Sequence, residues 1–474
     1  MKNRFNRLTS KEWLPFQKSW FRYDGTEQLY SEHLRFFCKA EKSDESVFYF
    51  GNDPEMCCAA GAENNINILT REIADEVKLQ YAIIDLRKKI EENTSFEALK
   101  QLKEETVSLC KNIYPKLVEK RFVSIFIPNL TVNEIYHPFA WSLAQKLADI
   151  FSLKDEKIAC CETGNKPSES KSFLPAKSFF YVLNLRKDEY SGSRTNTGIP
   201  DVVLRKQDYR TDLQFSGQID SWFILRPQPR KKDEILHPAK YPEALVEMFI
   251  HHFTNEGANI LDPMSGTGST QVGALRTGRN GFGTELSPFF ADIAENRCKN
   301  IIQPLQPSLF GNTHSGNFRI INKDARQISK SDFPEIDYVL TSPPYWDMLN
   351  MKGAENQAKR IEKGLQTNYS DDQSDLGNIA DYLEFIHELK DIYFNISELI
   401  RPGGYMTIVV KNIKKKGRNY PFAWDLAALL SEKLTLLPEV FWCQDDINLA
   451  PYGYGNTFVS NTFHQYCLNF QKPV

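Results

Sequence analysis

The chain has 474 residues, 41% hydrophobic and 25% charged, with a formal net charge of −3. That is an ordinary globular composition with room for two or three domains, and it excludes fibrous and disordered chains. No apolar run is long enough to span a bilayer, and Met1–Phe21 is polar and aromatic without a signal core, so a cytoplasmic protein with no membrane contact is expected.

In chain order, residues near Glu72 to Lys120 have helical periodicity and many charges. Arg121–Pro128 (RFVSIFIP) reads as a buried strand, and Pro138–Phe151 as an amphipathic helix. Glu162–Ser172 and Ser191–Pro200 are loop-like in composition. No internal repeat is found. These features predict an N-terminal α+β region over residues 1–230.

From about Asp233 strands and helices alternate. Strands are expected at Ala258–Asp262, Asn280–Glu285, Phe318–Asn322, Ile336–Thr341, Tyr405–Val410, Glu439–Cys443 and Phe463–Phe470, the last two as a terminal hairpin. Helices are expected at Ser269–Thr277, Pro288–Lys299, Ala380–Ile400 and Pro421–Lys433, with Arg401-Pro402-Gly403-Gly404 as a stop. This alternation predicts an α/β domain over residues 231–474: a seven-stranded, mostly parallel sheet, helices on both faces, and a ligand at the carboxyl ends of the strands.

Nine cysteines are scattered without C-x-x-C or cysteine–histidine spacing. No metal site is expected, and the thiols should be reduced. Two basic runs stand out against the balanced total: Arg226, Arg230, Lys231 and Lys232, then Lys411, Lys414, Lys415, Lys416 and Arg418. Each is either a solvated face or a contact for phosphates.

Ile260–Thr270 reads I-L-D-P-M-S-G-T-G-S-T. An apolar strand ends in Asp262-Pro263, Gly266 and Gly268 permit tight turns and close backbone approach, and a helix then presents free N–H groups. Glu285 closes the following strand, where an acid reaches ribose hydroxyls in Rossmann-type sites. The loop is neither G-x-x-x-x-G-K-[ST] nor G-x-G-x-x-G, which disfavours nucleotide triphosphates and nicotinamide cofactors. Asp324 follows the next strand as either an adenine contact or a cap.

The most informative segment is Asp337–Trp346, D-Y-V-L-T-S-P-P-Y-W. A buried strand runs into Ser342-Pro343-Pro344-Tyr345, where two prolines stiffen the backbone and remove two N–H donors. Acceptors at Ser342 and Pro343, with Tyr345 for stacking, suit a planar substrate bearing an amino group.

D-P-x-x-G-x-G followed by S-P-P-Y resembles the S-adenosylmethionine-dependent amino-methyltransferases of DNA, which form N4-methylcytosine or N6-methyladenine. The resemblance covers roughly Asp233 to Val474. It implies a Rossmann-like methyltransferase fold and S-adenosyl-L-methionine as cofactor. By resemblance Asp262, Pro263, Gly266 and Gly268 line the cofactor site, Glu285 binds ribose and Asp324 lies near adenine. His237 and Pro238, in H-P-A-K-Y-P, resemble the segment that helps hold the methionine part. Ser342, Pro343, Pro344 and Tyr345 form the catalytic loop. Met264 departs from the family's usual phenylalanine, and Ser342 tilts the substrate toward cytosine N4.

A flipped-out base in duplex DNA is the expected substrate. Trp346 is expected beside Tyr345 on that base, with Lys414, Lys415, Lys416 and Arg418 on phosphates. Residues 1–230 are expected to hold target recognition, and a restriction or phage-defence partner fits the family. The rival readings are N6-adenine methylation, RNA or protein-glutamine methylation, and a non-catalytic DNA-binding subunit.

Overall fold

The computed structural model describes residues 3, 5–39, 45–71, 73–90, 94–162, 173–191, 199–208, 219–226, 241–302, 316–346, 375–415, 418–446, 448–449 and 460–474. Two large sheets organise them. The first contains β1 (Trp20–Arg22), β2 (Glu45–Phe50), β3 (Ile68–Leu69), β4 (Lys78–Asp85), β5 (Leu117–Ile127), β8 (Ser152–Cys161) and β9 (Ser178–Arg186), with a separate hairpin of β6 (Leu130–Val132) and β7 (Ile135–His137). The second contains β10 (Trp222–Ile224), β11 (Asn259–Asp262), β12 (Asn280–Glu285), β13 (Phe318–Asn322), β14 (Ile336–Thr341), β15 (Ile400–Val410), β18 (Thr435–Leu436), β19 (Val440–Cys443) and β20 (His464–Gln471). Its own hairpin is β16 (Ile413–Lys415) with β17 (Arg418–Tyr420).

The second sheet runs β13-β12-β11-β14-β15-β20-β19-β10, with β20 antiparallel to both neighbours and the other pairs along this path parallel. This is the expected seven-stranded methyltransferase sheet, extended by β10 at one edge and by β18 beside β20. The central strands β11 and β14 are covered on both faces, which is why NILD and IDYVLT read as near-continuous apolar runs. Strand β10 lies ahead of the expected boundary at residue 231 yet pairs with β19, so the second unit includes Trp222–Ile224. Arg401-Pro402-Gly403-Gly404 lies inside β15 at a register shift against β14, instead of forming a stop before it.

The first sheet corrects two expectations. Lys78–Asp85, inside the segment with helical periodicity, is a strand; six consecutive buried residues after Leu79 place it in the middle of a sheet, and the helix is confined to Phe96–Lys116. The sheet order, β3-β2-β4-β5-β9-β8-β1, repeats the second sheet strand for strand once β13 is set aside, with β9 as the antiparallel member in place of β20. The chain therefore does contain an internal repeat. Its numbering runs in step from Phe122/Tyr405 through Asn129/Asn412, Pro138/Pro421 and Glu156/Glu439 to Ile158/Phe441, with no insertion between. Pro138-Phe139-Ala140-Trp141 recurs as Pro421-Phe422-Ala423-Trp424, and Ser19-Trp20-Phe21 as Ser221-Trp222-Phe223.

The halves meet through matching, exchanged contacts. Helices Phe139–Leu147 and Phe422–Leu430 bring Trp141 and Trp424 together, stacked with ring centres 6.0 Å apart and planes nearly parallel at 14°. Each indole N–H donates to a tyrosine of its own half, Tyr181 or Tyr466, at 2.9 and 3.0 Å. Trp20 donates to the Gln444 carbonyl at 2.9 Å, and its counterpart Trp222 to the Cys161 carbonyl at 3.2 Å. The helix Phe422–Leu430 is buried all round because it packs on its own sheet and on the other half. The largest apolar cluster accordingly takes residues from both sheets.

Candidate active site

The second sheet's carboxyl edge gathers most of the residues singled out in sequence. Between β11 and the helix Ser269–Arg276 the chain turns through Gly266 and Gly268, at φ 52° and 78°. A Cβ on Gly268 would stand 2.8 Å from Ala294 Cβ, and one on Gly283 would stand 2.1 Å from Ser265 Oγ. Glycine is needed at Gly268 for both conformation and space.

Asp262 organises this loop from beneath. One carboxylate oxygen accepts from Tyr241 and Thr270, and the other from Thr341 and the Met264 N–H, at 2.7 to 3.1 Å. Burial raises its pKa, opposed by those bonds. Since Thr341 is the last residue of β14, Asp262 ties the glycine loop to the strand that ends in Ser342. The Pro263 carbonyl accepts from Thr284 at 2.7 Å.

Glu285, at the end of β12, accepts from the Gly266 N–H at 2.7 Å and the Ser287 N–H at 2.9 Å. Burial nonetheless pushes its pKa up to about 7. A carboxylate held beside the glycine loop at a strand terminus fits a ribose diol. Asp324 takes the capping reading of its sequence: it accepts from the Arg326 N–H at 2.9 Å and pairs with that guanidinium. His237 and Pro238 lie outside the described residues, as does Lys416. The glycine-lined loop, Asp262 and Glu285 together fit S-adenosyl-L-methionine.

Ser342-Pro343-Pro344-Tyr345 extends from β14 beside this cradle. The Ser342 hydroxyl donates to the Val409 carbonyl at 2.9 Å, which leaves its lone pairs as acceptors, and it stands 3.4 Å from the Tyr345 hydroxyl. The Tyr345 hydroxyl donates to Gln465 Oε1 at 2.9 Å, and the Lys411 ammonium stands 5.3 Å from its ring centre. Burial lowers the Lys411 pKa and pushes that of Tyr345 up to about 12. Gln465 escaped the sequence reading because it arrives from β20, far along the chain, with no motif around it.

The basic run behaves differently from expectation. The Lys414 ammonium turns inward to Asp155 at 2.5 Å and the Ser460 carbonyl at 2.8 Å, with Asp155 fully buried. It is an internal ion pair between the halves, not a phosphate contact. Trp346 is only 4% exposed, packs against Tyr382 and Tyr420, and lies 3.8 Å beneath Lys415. It supports the loop from the core instead of facing a base. Arg418 is placed over the Tyr190 ring at 5.4 Å. Arg226, of the first basic run, pairs with Asp445 at 2.9 Å.

The first half keeps the sheet but not the cradle. By strand register Tyr49 stands at the place of Asp262 and Asp85 at that of Ser342. Tyr30 donates to Asp85 at 2.7 Å and meets the Tyr49 hydroxyl at 2.9 Å, and Arg87 pairs with Asp85 at 2.6 Å. Phenol hydroxyls and an ion pair thus stand at the strand ends where the second half has Asp262 and Ser342.

Fold and site together define the Rossmann-like methyltransferase class, whose cofactor is S-adenosyl-L-methionine. The profile of the DNA methylase family matches residues 61–296, running from the first half through the glycine loop and Glu285. Over that stretch the chain is similar to this family. The orphan methyltransferase M.BamHII of Bacillus amyloliquefaciens is 44% identical over 66 residues, 14% of this chain and 25% of that protein. The type II methyltransferase M.MthZI of Methanothermobacter thermautotrophicus is 37% identical over 150 residues, 29% of this chain and 41% of that one. The chain thus spans less than half the length of these relatives. Among solved structures, TrmN from Thermus thermophilus aligns at 11% identity and TM-score 0.30 over 94% of this chain and 78% of that one.

Proposed function

We propose that this chain is a site-specific DNA methyltransferase that moves a methyl group from S-adenosyl-L-methionine to an exocyclic amino group, N4 of cytosine, in a base turned out of duplex DNA. The observation that carries the proposal is the Ser342 hydroxyl. It donates to Val409 and so presents acceptor lone pairs, on a proline-stiffened loop tied through Thr341 and Asp262 to the glycine cradle.

The cofactor, when bound, supplies an electrophilic methyl group on a sulfonium sulfur. An exocyclic amine is a poor nucleophile because its lone pair is drawn into the ring. Ser342 and the Pro343 carbonyl accept its two N–H bonds and favour a pyramidal nitrogen whose lone pair projects toward the cradle. Tyr345 stacks on the ring, and Glu285 accepts from the ribose. Orientation then does most of the work: methyl transfer would break the S–C bond to leave a neutral thioether, the methylated nitrogen would release one proton to solvent, and no covalent enzyme intermediate is needed.

Serine at position 342 supports cytosine over the second reading, N6 of adenine. The type II methyltransferases among the relatives support a restriction or phage-defence setting. The first half, which has no glycine cradle of its own, is free to hold the target-recognition surface. Nucleoside mass spectrometry of DNA from expressing cells tests the proposal. N4-methylcytosine is expected; N6-methyladenine would move the substrate, and no methylated DNA base would sink the reading in favour of RNA or a non-catalytic role.

A further inference from the structure

The internal repeat provides a control within one molecule. Where both halves keep a residue, the shared fold explains it. Where they diverge beside the glycine cradle, the divergence marks what only the second half's site requires.

The end of β15 shows both cases. Asn412 donates to the two Glu156 oxygens at 2.7 and 2.8 Å, and its Oδ1 accepts from the Ala423 N–H at 2.8 Å. Its counterpart Asn129 donates to Glu439 at 2.9 Å and accepts from the Ala140 N–H at 2.8 Å. Each asparagine thus caps its own helix and is gripped by a glutamate from the opposite half. This clamp is common to both copies.

The neighbouring positions are not shared. Lys411 stands where the first half has Pro128, and Gln465 where it has Phe180. Both differing residues touch Tyr345, one at the ring face and one at the hydroxyl. A cation over the face and an acceptor at the hydroxyl fix the tilt and the reach of a ring that otherwise swings about its χ angles. Among the described residues no carboxylate pairs with Lys411, so its place is set by the strand end that carries it, and that strand end is held by Glu156.

We propose that Lys411 and Gln465 are positioning residues that fix Tyr345 for its target base, and that the first half of the chain sets Lys411 through the Glu156–Asn412 clamp. The inference rests on Tyr345 contacting the base as proposed above. It gives the first half a part in methyl transfer separate from target recognition.

The test uses the full chain, labelled cofactor and sheared chromosomal DNA from a non-expressing strain. Asn412→Ala and Asn129→Ala each remove one cap and one clamp, so they should lower Tm by similar amounts. Asn412→Ala alone should lower kcat further, by on the order of ten- to a hundredfold, as misplaced reacting groups do. Lys411→Met and Gln465→Leu should lower kcat while leaving Tm and cofactor Kd unchanged, and Lys411→Arg should restore much of the loss. Equal kcat in the two asparagine variants, or wild-type kcat in Lys411→Met, overturns the inference. If Asn412→Ala fails to fold, the Lys411 and Gln465 variants decide alone. A wild-type chain that transfers no methyl group to DNA instead overturns the function proposed above, and this inference with it.

Discussion

Glu285 shows how one side chain can balance two environments. Two backbone N–H bonds favour its charged form, yet burial outweighs them and sets the pKa near 7. Two consequences follow from the sign. Between the ordinary carboxyl value and about 7, the folded chain holds a proton that the unfolded chain has released, so stability without cofactor should fall as pH rises through that window. Cofactor binding should run the other way, because the ionised form accepts from ribose hydroxyls. Below pH 7 the affinity should weaken by up to about tenfold per pH unit. Calorimetry across this range on the wild type and on Glu285→Gln tests both; a wild-type profile as flat as the variant's would remove Glu285 from the ribose site. At Ser342 the bond to Val409 uses the hydroxyl proton and leaves acceptor capacity. Ser342→Ala should therefore cost about a hundredfold in kcat, the scale for losing one preorganised hydrogen-bond partner, with cofactor Kd unchanged. A loss of cofactor affinity instead would mean that the serine supports the cradle and not the amine.

At the scale of elements, the sequence was most legible where burial and period agree. The strands β11, β12, β13 and β14 fall within a residue of expectation, because apolar runs bounded by glycine, proline or acids leave little choice. It was least legible where charge misled. Lys78–Asp85 was absorbed into a helical pattern because charged neighbours share its window, although Tyr81, Ile83 and Ile84 within it favour a strand. The run Lys411–Arg418 reads as one basic surface, yet it folds so that Lys411 joins Tyr345, Lys414 turns inward and Lys415 covers Trp346. Composition cannot report this, since the partner Asp155 lies in the other half of the chain. Lys414→Ala would leave Asp155 buried without its cation, so it should cost about 3 kcal/mol of stability. The salt dependence of DNA binding should not change, because no phosphate contact is lost. A shallower salt slope with an unaltered Tm would return Lys414 to the DNA surface.

At the scale of the whole molecule, the repeat was written in the sequence but in short strings. Pro-Phe-Ala-Trp and Ser-Trp-Phe recur, while the strand positions Phe122/Tyr405, Val123/Met406 and Phe126/Val409 change one apolar residue for another and positions such as Ile135/Arg418 and Lys157/Val440 change polarity, which erases the resemblance. The glycine loop and the catalytic tetrapeptide were legible because chemistry fixes their residues. Their counterparts in the first half were not, because Tyr49 and Asp85 stand there in place of Asp262 and Ser342. Two predictions follow from this architecture. Calorimetry should find one cofactor per chain, since Tyr49, Asp85 and Arg87 take the first half's equivalent strand ends and bond to one another or to Tyr30; a second site would contradict that reading. The halves should also hold together without a covalent link. Their contact stacks Trp141 on Trp424 and exchanges Asn129–Glu439 for Asn412–Glu156, with Lys414–Asp155 alongside. Separation would expose an apolar helix face and leave Glu156, Asp155 and Glu439 without partners, a combination that resembles a permanent interface more than a flexible domain contact. Cleavage at a protease site inserted within residues 209–218 should therefore leave two fragments that co-elute, bind cofactor as the intact chain does and melt in a single transition. A fragment 219–474 made alone should aggregate or melt far lower, and should recover when refolded with its partner. If the cleaved halves separate at micromolar concentration and the second still binds cofactor with full affinity, the two copies are independent domains, and the exchanged contacts between them contribute little to the fold.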